Sequence, residues 1–164
     1  MAGFQLEKGE RLFLYSTGLL LVAFFMAILA SIGEAGIHLP TDEGQVDPTQ
    51  LRTTAPFNNL SDQPEDTNGD GVIDAVLIAK AYAFEPNPIV VPAGQEIEFV
   101  VSSQDVIHGF LISDVGVNAM VIPGQVTKVT ATFDEAGEYN IICHEFCGIG
   151  HQTMFGRVIV EERP

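Results

Sequence analysis
The chain has no tryptophan, two cysteines and seven basic residues in 164 positions, and long stretches of it lack charge of one sign or of either. Seven Lys and Arg against 22 Asp and Glu leave a formal charge of −15, which repels phosphate backbones and excludes nucleic acid as a partner. No charged residue occurs from Leu12 to Gly33, a run of 22 residues. At about 1.5 Å per residue that run makes roughly 33 Å of helix, enough to cross a hydrocarbon core of about 30 Å. A cleaved secretory signal is the competing explanation. Its apolar stretch runs only about 7 to 15 residues and ends in a small-x-small site that is not evident here. The expectation is one uncleaved transmembrane anchor, with residues 1–33 forming the cytoplasmic N-terminus and the span. No basic residue lies between Arg11 and Arg52, so Lys8 and Arg11 stand alone before the helix and the N-terminus is expected in the cytoplasm. The chain is then a single-pass protein of the cell membrane, with everything from Glu34 onward on the outer, periplasmic or extracellular, face.

Outside the membrane, residues 34–72 are rich in Pro, Thr, Asp, Asn and Gly and carry little apolar period, which predicts an extended connector lying over the domain or over a partner. His38 is expected at the interface or against a partner. Within the connector, Asp66-Thr67-Asn68-Gly69-Asp70-Gly71-Val72-Ile73-Asp74 has the acid, amide and glycine placement that opens a calcium loop. Position twelve of such a loop is Leu77, which has no carboxylate, so an Asn/Gly-rich turn leading into a strand is the stronger reading. From residue 73 to 164 short β-type runs alternate with turn signals such as Pro86-Asn87-Pro88, Pro92-Ala93-Gly94, Pro123-Gly124 and Glu135-Ala136-Gly137. The predicted strands are Ile73 to Phe84, Ile89 to Val91, Glu96 to Ser102, Gly109 to Ser113, Ala119 to Ile122, Thr127 to Phe133, Glu138 to Cys143 and Phe155 to Glu161. Runs of this kind without helical period predict an all-β sandwich.

Both cysteines fall in one segment, Cys143-His144-Glu145-Phe146-Cys147-Gly148-Ile149-Gly150-His151-Gln152-Thr153-Met154, with two of the four histidines. Two thiols, an imidazole and a thioether so close together make a soft donor set, suited to copper more than to magnesium or calcium. The segment lies between two predicted strands, and a further imidazole, His108, opens another. Strand ends distant in sequence can meet at one pole of a sandwich. Several readings stay open on the residues alone. A Cys143–Cys147 disulfide closes too short a loop to gain much chain entropy and leaves His151 and Met154 unexplained. A structural zinc site has no use for the methionine. A mononuclear blue-copper site leaves the second cysteine idle.

The segment from about Ala79 to Val160 resembles the binuclear copper A domain of cytochrome c oxidase subunit II. The resemblance is carried by Ala81-Tyr82-Ala83-Phe84, Pro86-Asn87-Pro88-Ile89, Asp105-Val106-Ile107-His108-Gly109-Phe110, Pro123-Gly124 and Gly148-Ile149-Gly150-His151-Gln152-Thr153-Met154-Phe155-Gly156. These motifs, with the single helix, are closest to the ba3-type branch. The resemblance implies a cupredoxin-like Greek-key β-sandwich over residues 73–164 behind one N-terminal transmembrane helix. It implies that Cys143 and Cys147 bridge two coppers, that His108 binds one and His151 the other, and that Met154 and the Glu145 carbonyl are weak axial ligands. It also implies a function. An electron-transfer subunit of a terminal oxidase would take single electrons from a soluble donor, a cytochrome c or a small copper protein. It would pass them to haem in catalytic subunit I, where oxygen becomes water. A membrane-anchored copper-binding module and a mononuclear blue-copper carrier are the alternatives.

The family's tryptophan-rich donor patch has no counterpart here. Tyr82, Phe84 and Phe155 are the candidate donor-docking residues. The Glu145 side chain is a candidate magnesium ligand at a subunit interface, against a solvated or hydrogen-bonded carboxylate. His144 is expected to be a partly exposed loop residue, Phe146 and Phe155 to pack beside the ligands, and Met120 to lie in the core. The acids are spread along the domain and form no block, as on salt-adapted surfaces, so docking would rest mainly on apolar contact; long-range steering of a basic donor is the alternative.

Overall fold
A computed structural model describes residues 7–34 and 41–162, in two compact units that divide after Ile37. His38 lies outside the described residues. The first unit is the helix α1 (Lys8–Glu34), whose 27 residues span about 40 Å. It is apolar all round, and Leu19, Leu20, Phe24 and Phe25 are exposed on it, as a lipid solvent allows and water does not. Two of its hydroxyls are satisfied within the helix. Ser16 donates to the Phe13 carbonyl and Ser31 to that of Ile28.

The described residues of the second unit form ten strands: β1 (Thr41–Gln45), β2 (Ile73–Lys80), β3 (Ala83–Glu85), β4 (Ile89–Pro92), β5 (Glu96–Ser103), β6 (His108–Ile112), β7 (Val117–Val121), β8 (Gln125–Thr132), β9 (Gly137–Ile142) and β10 (Phe155–Glu161). They form two five-stranded sheets, ordered β1-β8-β5-β2-β3 and β4-β10-β9-β6-β7. The chain passes between the sheets repeatedly, and β2–β5 and β4–β10 are parallel pairs. Alternation turns one face of each strand inward. In β8, Thr127, Val129 and Ala131 are buried while Thr132 faces out. Between the sheets Phe84, Phe110, Phe99 and Phe133, in that order, form an aromatic chain with successive centroid separations of 5.7, 5.4 and 6.3 Å.

Two predicted elements differ from the structure. The run Ile73 to Phe84 is not one strand, because the chain reverses at Ala81-Tyr82 and β3 folds back antiparallel on β2. The connector is more ordered than its composition suggests: β1 pairs with β8, and a 3-10 turn at Pro48–Thr53, capped by Asp47, seats Leu51 on the outer face of the first sheet. Leu51 and Phe57 close a second apolar cluster with Ile78 and Val100. That cover explains why the middle of β2 and of β5 reads as continuous apolar sequence: both of their faces are buried. The Asp66 carboxylate accepts the N–H groups of Asn68, Gly69 and Gly71 at 3.2, 2.6 and 2.9 Å, closing a turn that leads into β2, and Leu77 is in the core.

Arg52 of the 3-10 turn and Lys80 of β2 both pair with Glu85 of β3, which ties the connector to the β2–β3 reversal. The Lys80 ammonium, and more weakly Arg52, hold the Glu85 carboxyl below its ordinary value of 4.5, against burial, which acts in the opposite sense. A depressed carboxylate contributes stability that is present above its unfolded pKa and lost as pH falls through the folded one. Denaturant midpoints should therefore decline on acidification below about pH 4.5. Glu85→Gln should flatten that decline and cost under about 1 kcal/mol at neutral pH, as expected of partly exposed pairs.

Candidate metal centre
The β9–β10 hairpin fixes most of the site. Ile142 pairs with Phe155, so Cys143 and Met154 leave the two strands side by side, and the Cys143 N–H donates to the Met154 carbonyl at 3.3 Å. The loop between them ends in a 3-10 turn at His151–Thr153, closed by Thr153 N–H to Gly150 O at 2.9 Å and Met154 N–H to His151 O at 3.1 Å, and just before it the His151 N–H donates to Gly148 O at 3.1 Å. In the same sheet β6 joins β9 at Leu111 opposite Ile142, which brings His108, at the start of β6, to the same pole.

Five side chains converge there. The Cys143 and Cys147 Sγ atoms are 3.8 Å apart, and both cysteines are free and buried. His108 Nδ1 lies 3.9 Å from Cys143 Sγ, and His151 Nδ1 lies 3.6 Å from Cys147 Sγ. Met154 Sδ is 3.7 Å from Cys147 Sγ, and the Glu145 carbonyl is 3.3 Å from Cys143 Sγ. His108, Cys143 and Cys147 form the one group of three potential metal-binding side chains among the described residues, their ligand atoms lying within 4.8 Å of one another. The donor chemistry fits copper: thiols, imidazole nitrogens and a thioether face a buried space from opposite sides. Sulfurs sharing a metal at about 2.3 Å each, at near-tetrahedral angles, stand about 3.8 Å apart. A disulfide would hold them at about 2.05 Å. Burial first, then the hydrogen bond and charge of Cys143, push the Cys147 thiol up to about 11, so this thiol resists ionising without a cation to compensate.

The His108 ring is fully buried and is fixed from behind. Its Nε2 is 2.8 Å from Asp105 Oδ1, which leaves Nδ1 facing the sulfurs. Asp105 also accepts the Ala81 N–H at 2.7 Å and the Val106 N–H at 2.7 Å. Burial alone would raise Asp105, but the Ala81 N–H and then His108 outweigh it and hold the carboxyl below its usual range. The Asp–His bond is a residue role the sequence reading did not assign. Its signal was an acid three positions before the histidine.

Other predicted residues separate. Phe84 is 1% exposed, stacked edge-on against Phe110 in the core, and so cannot form part of a docking surface. Alternation turns it inward, while its neighbour Tyr82, 40% exposed, lies in the reversal before β3. Phe155 is 56% exposed. Phe146 and Met120, expected to pack, are 79% and 45% exposed: Phe146 stands on the ligand loop with its ring 5.9 Å from that of His151, and Met120 points outward from β7. Ile149, on the same loop as Phe146, is 92% exposed. His144 is partly exposed, as expected, and its Nδ1 is 3.6 Å from the Glu145 carboxylate.

Residues 78–162 match the family described as cytochrome c oxidase subunit II, periplasmic domain. Across 156 residues, 95% of this chain and 92% of the relative, the sequence is 38% identical to cytochrome c oxidase subunit 2 of Thermus thermophilus. A chain of a haem-copper terminal oxidase dimer solved by cryo-electron microscopy superposes with a TM-score of 0.70 at 30% identity, covering 94% of this chain and all of that one. The periplasmic domain of cytochrome oxidase subunit II from Bradyrhizobium japonicum has the same fold, with a TM-score of 0.51 at 24% identity over 57% of this chain and 85% of that one. The sandwich is cupredoxin-like.

Proposed function
Because the chain belongs to the cytochrome c oxidase subunit II family, part of an oxidoreductase complex, we propose that it takes electrons one at a time from a soluble donor at a binuclear copper centre and hands them to haem in the catalytic subunit. Oxygen reduction belongs to that subunit. The observation that carries this reading is the pair of free, buried thiols 3.8 Å apart, with one imidazole nitrogen beside each sulfur. Cys143 and Cys147 would hold two coppers between them, with His108 and His151 each a ligand to one and Met154 and the Glu145 carbonyl as weaker donors. Bound there, the copper pair supplies a one-electron redox centre.

The chain's own residues make that centre stiff and dry. His108 and Met154 are fully buried, and strands hold the ligand-bearing segments on both sides, so little has to rearrange when an electron arrives. The helix α1 would anchor the domain to the membrane, with the N-terminus cytoplasmic and the sandwich on the outer face. The donor, a cytochrome c or a small copper protein, would meet an apolar rim: Tyr82 and Phe155 of the original candidates, together with Phe146 and Ile149. Magnesium at Glu145 is a weaker element. Its side chain is 39% exposed and joins no group of three metal-binding side chains among the described residues, so the remaining ligands would come from water or another subunit.

Copper loading of the full chain in detergent tests the reading. Two coppers per chain, with an electron paramagnetic resonance spectrum coupled to two equivalent copper nuclei, is the expected result. A single copper coupled to one nucleus would replace the reading with a mononuclear blue-copper carrier.

A further inference from the structure
The reversal at Ala81-Tyr82, between β2 and β3, touches both halves of the metal centre. On one side the Ala81 N–H donates to Asp105 Oδ2 at 2.7 Å, while the other oxygen of the same carboxylate lies 2.8 Å from His108 Nε2. Ser103 Oγ and the Val106 N–H also meet that oxygen, at 3.4 and 2.7 Å, so the carboxylate has no freedom to turn away. On the other side the Tyr82 ring lies on the loop that joins Cys147 to His151. A Cβ placed on Gly148 would stand 2.7 Å from Tyr82 Oη, and one on Gly150 would stand 2.5 Å from Tyr82 Cδ2. Real side chains do not approach so closely. The two glycines flanking Ile149 are therefore the imprint of this ring: the loop accommodates Tyr82 only where it has no side chains. Gly148 also has φ +125°, a backbone region that other residues rarely enter.

We propose that this reversal is a shared brace for the two halves of the centre, in which Asp105 and Tyr82 are positioning residues: Asp105 sets the ring of His108, Tyr82 sets the loop carrying Cys147 and His151, and the Ala81-Tyr82 backbone couples them. The copper part of this inference rests on the proposed binuclear site; the mechanical part does not. Tyr82 thereby gains a role separate from donor docking. A ring part exposed at its edge and pressed over two glycines on its face restricts the loop in the way that outer-shell contacts commonly orient metal ligands.

The test uses the full chain in detergent and the variants Tyr82→Ala, Tyr82→Phe and Asp105→Asn. In copper-free protein the amide exchange of His151, whose N–H is bonded to Gly148 O, should be about tenfold faster in Tyr82→Ala. Asp105→Asn, which leaves the loop's own contacts intact but turns an amide toward the Ala81 N–H, should quicken the same amide. Tyr82→Phe keeps the ring and should restore the native rate. In copper-loaded protein, Tyr82→Ala and Asp105→Asn should make the two copper couplings unequal and speed copper loss to a chelator by about 10- to 100-fold. An unchanged His151 exchange rate in Tyr82→Ala, or in Asp105→Asn, overturns the shared brace whatever the metal content. So does a Tyr82→Ala chain that slows only electron transfer from the donor, since Tyr82 would then be a docking residue alone. A wild-type chain with one copper overturns the binuclear reading instead, and the copper-free exchange rates still decide the brace.

Discussion
Replacing Cys147 with serine is expected to abolish the proposed two-copper centre while leaving the sandwich folded. The sulfur of Cys147 lies within 3.8 Å of three other donors: Cys143 Sγ, His151 Nδ1 and Met154 Sδ. Cys143 Sγ is the other hub, with the Glu145 carbonyl, Cys147 Sγ and His108 Nδ1 at 3.3, 3.8 and 3.9 Å. A hydroxyl at this position is a hard donor that stays protonated, so both bridging and soft-metal preference are lost together. Loss of an outer-shell partner typically costs 10- to 100-fold in metal affinity, and loss of this thiolate should exceed about 100-fold. Copper per chain should fall from two to at most one, coupling to two equivalent nuclei should vanish, and donor-driven turnover of the assembled oxidase should collapse. The copper-free variant should keep its denaturant midpoint to within about 1–2 kcal/mol, since serine is nearly isosteric and only one buried polar group changes. A variant that retained the two-nucleus coupling would remove Cys147 from the bridge.

Gly109→Ala is expected to be nearly as damaging, although Gly109 contributes no ligand. A Cβ there would lie 2.6 Å from the backbone nitrogen of His144 and equally close to its ring. The ring could swing away; the backbone nitrogen could move only by taking Cys143 with it. Gly109 is itself pinned between buried His108 and buried Phe110, and it pairs with Met120 across β6 and β7. Forced repacking of this kind costs about 1–3 kcal/mol, occasionally more. Here the displacement falls on the gap between His108 and Cys143. Unfolding midpoints should drop by that amount and copper affinity should fall at least about tenfold. Gly137→Ala is the control: its Cβ would meet nothing closer than Tyr139 at 3.8 Å, so stability should stay within about 0.5 kcal/mol.

Much of this centre is legible in the chain because four of its five side chains lie within twelve consecutive residues, Cys143 to Met154. His108 was different. Nothing local distinguishes it from a core histidine; its place at a predicted strand start, which can meet the loop at one pole of a sandwich, made it a candidate, and the family resemblance around Asp105 to Phe110 gave it a ligand role. Strand positions were readable where alternation is strong, as in β8 and β10, and misread where burial on both faces removes it. The run from Ile73 to Phe84 shows no polar break at Ala81-Tyr82, so the reversal into β3 was invisible. The strand β1 has no apolar pattern at all; it exists because β8 offers it an edge. Apolar type alone misplaced Met120 and Phe146, which point outward, and the family resemblance put the inward-facing Phe84 on the surface. Position relative to the pleat decided these cases, and that follows from register, which composition does not encode.

The fifth side chain has one more consequence. His108 stands 35 positions before Cys143, on a strand that meets the hairpin through the β6–β9 pairing within one sheet. A newly made chain thus cannot hold its full ligand set until that long-range pairing has formed. At the proposed copper site, metal occupancy would report that these distant strands have met, and a cell that loads copper last would in effect be inspecting its own product.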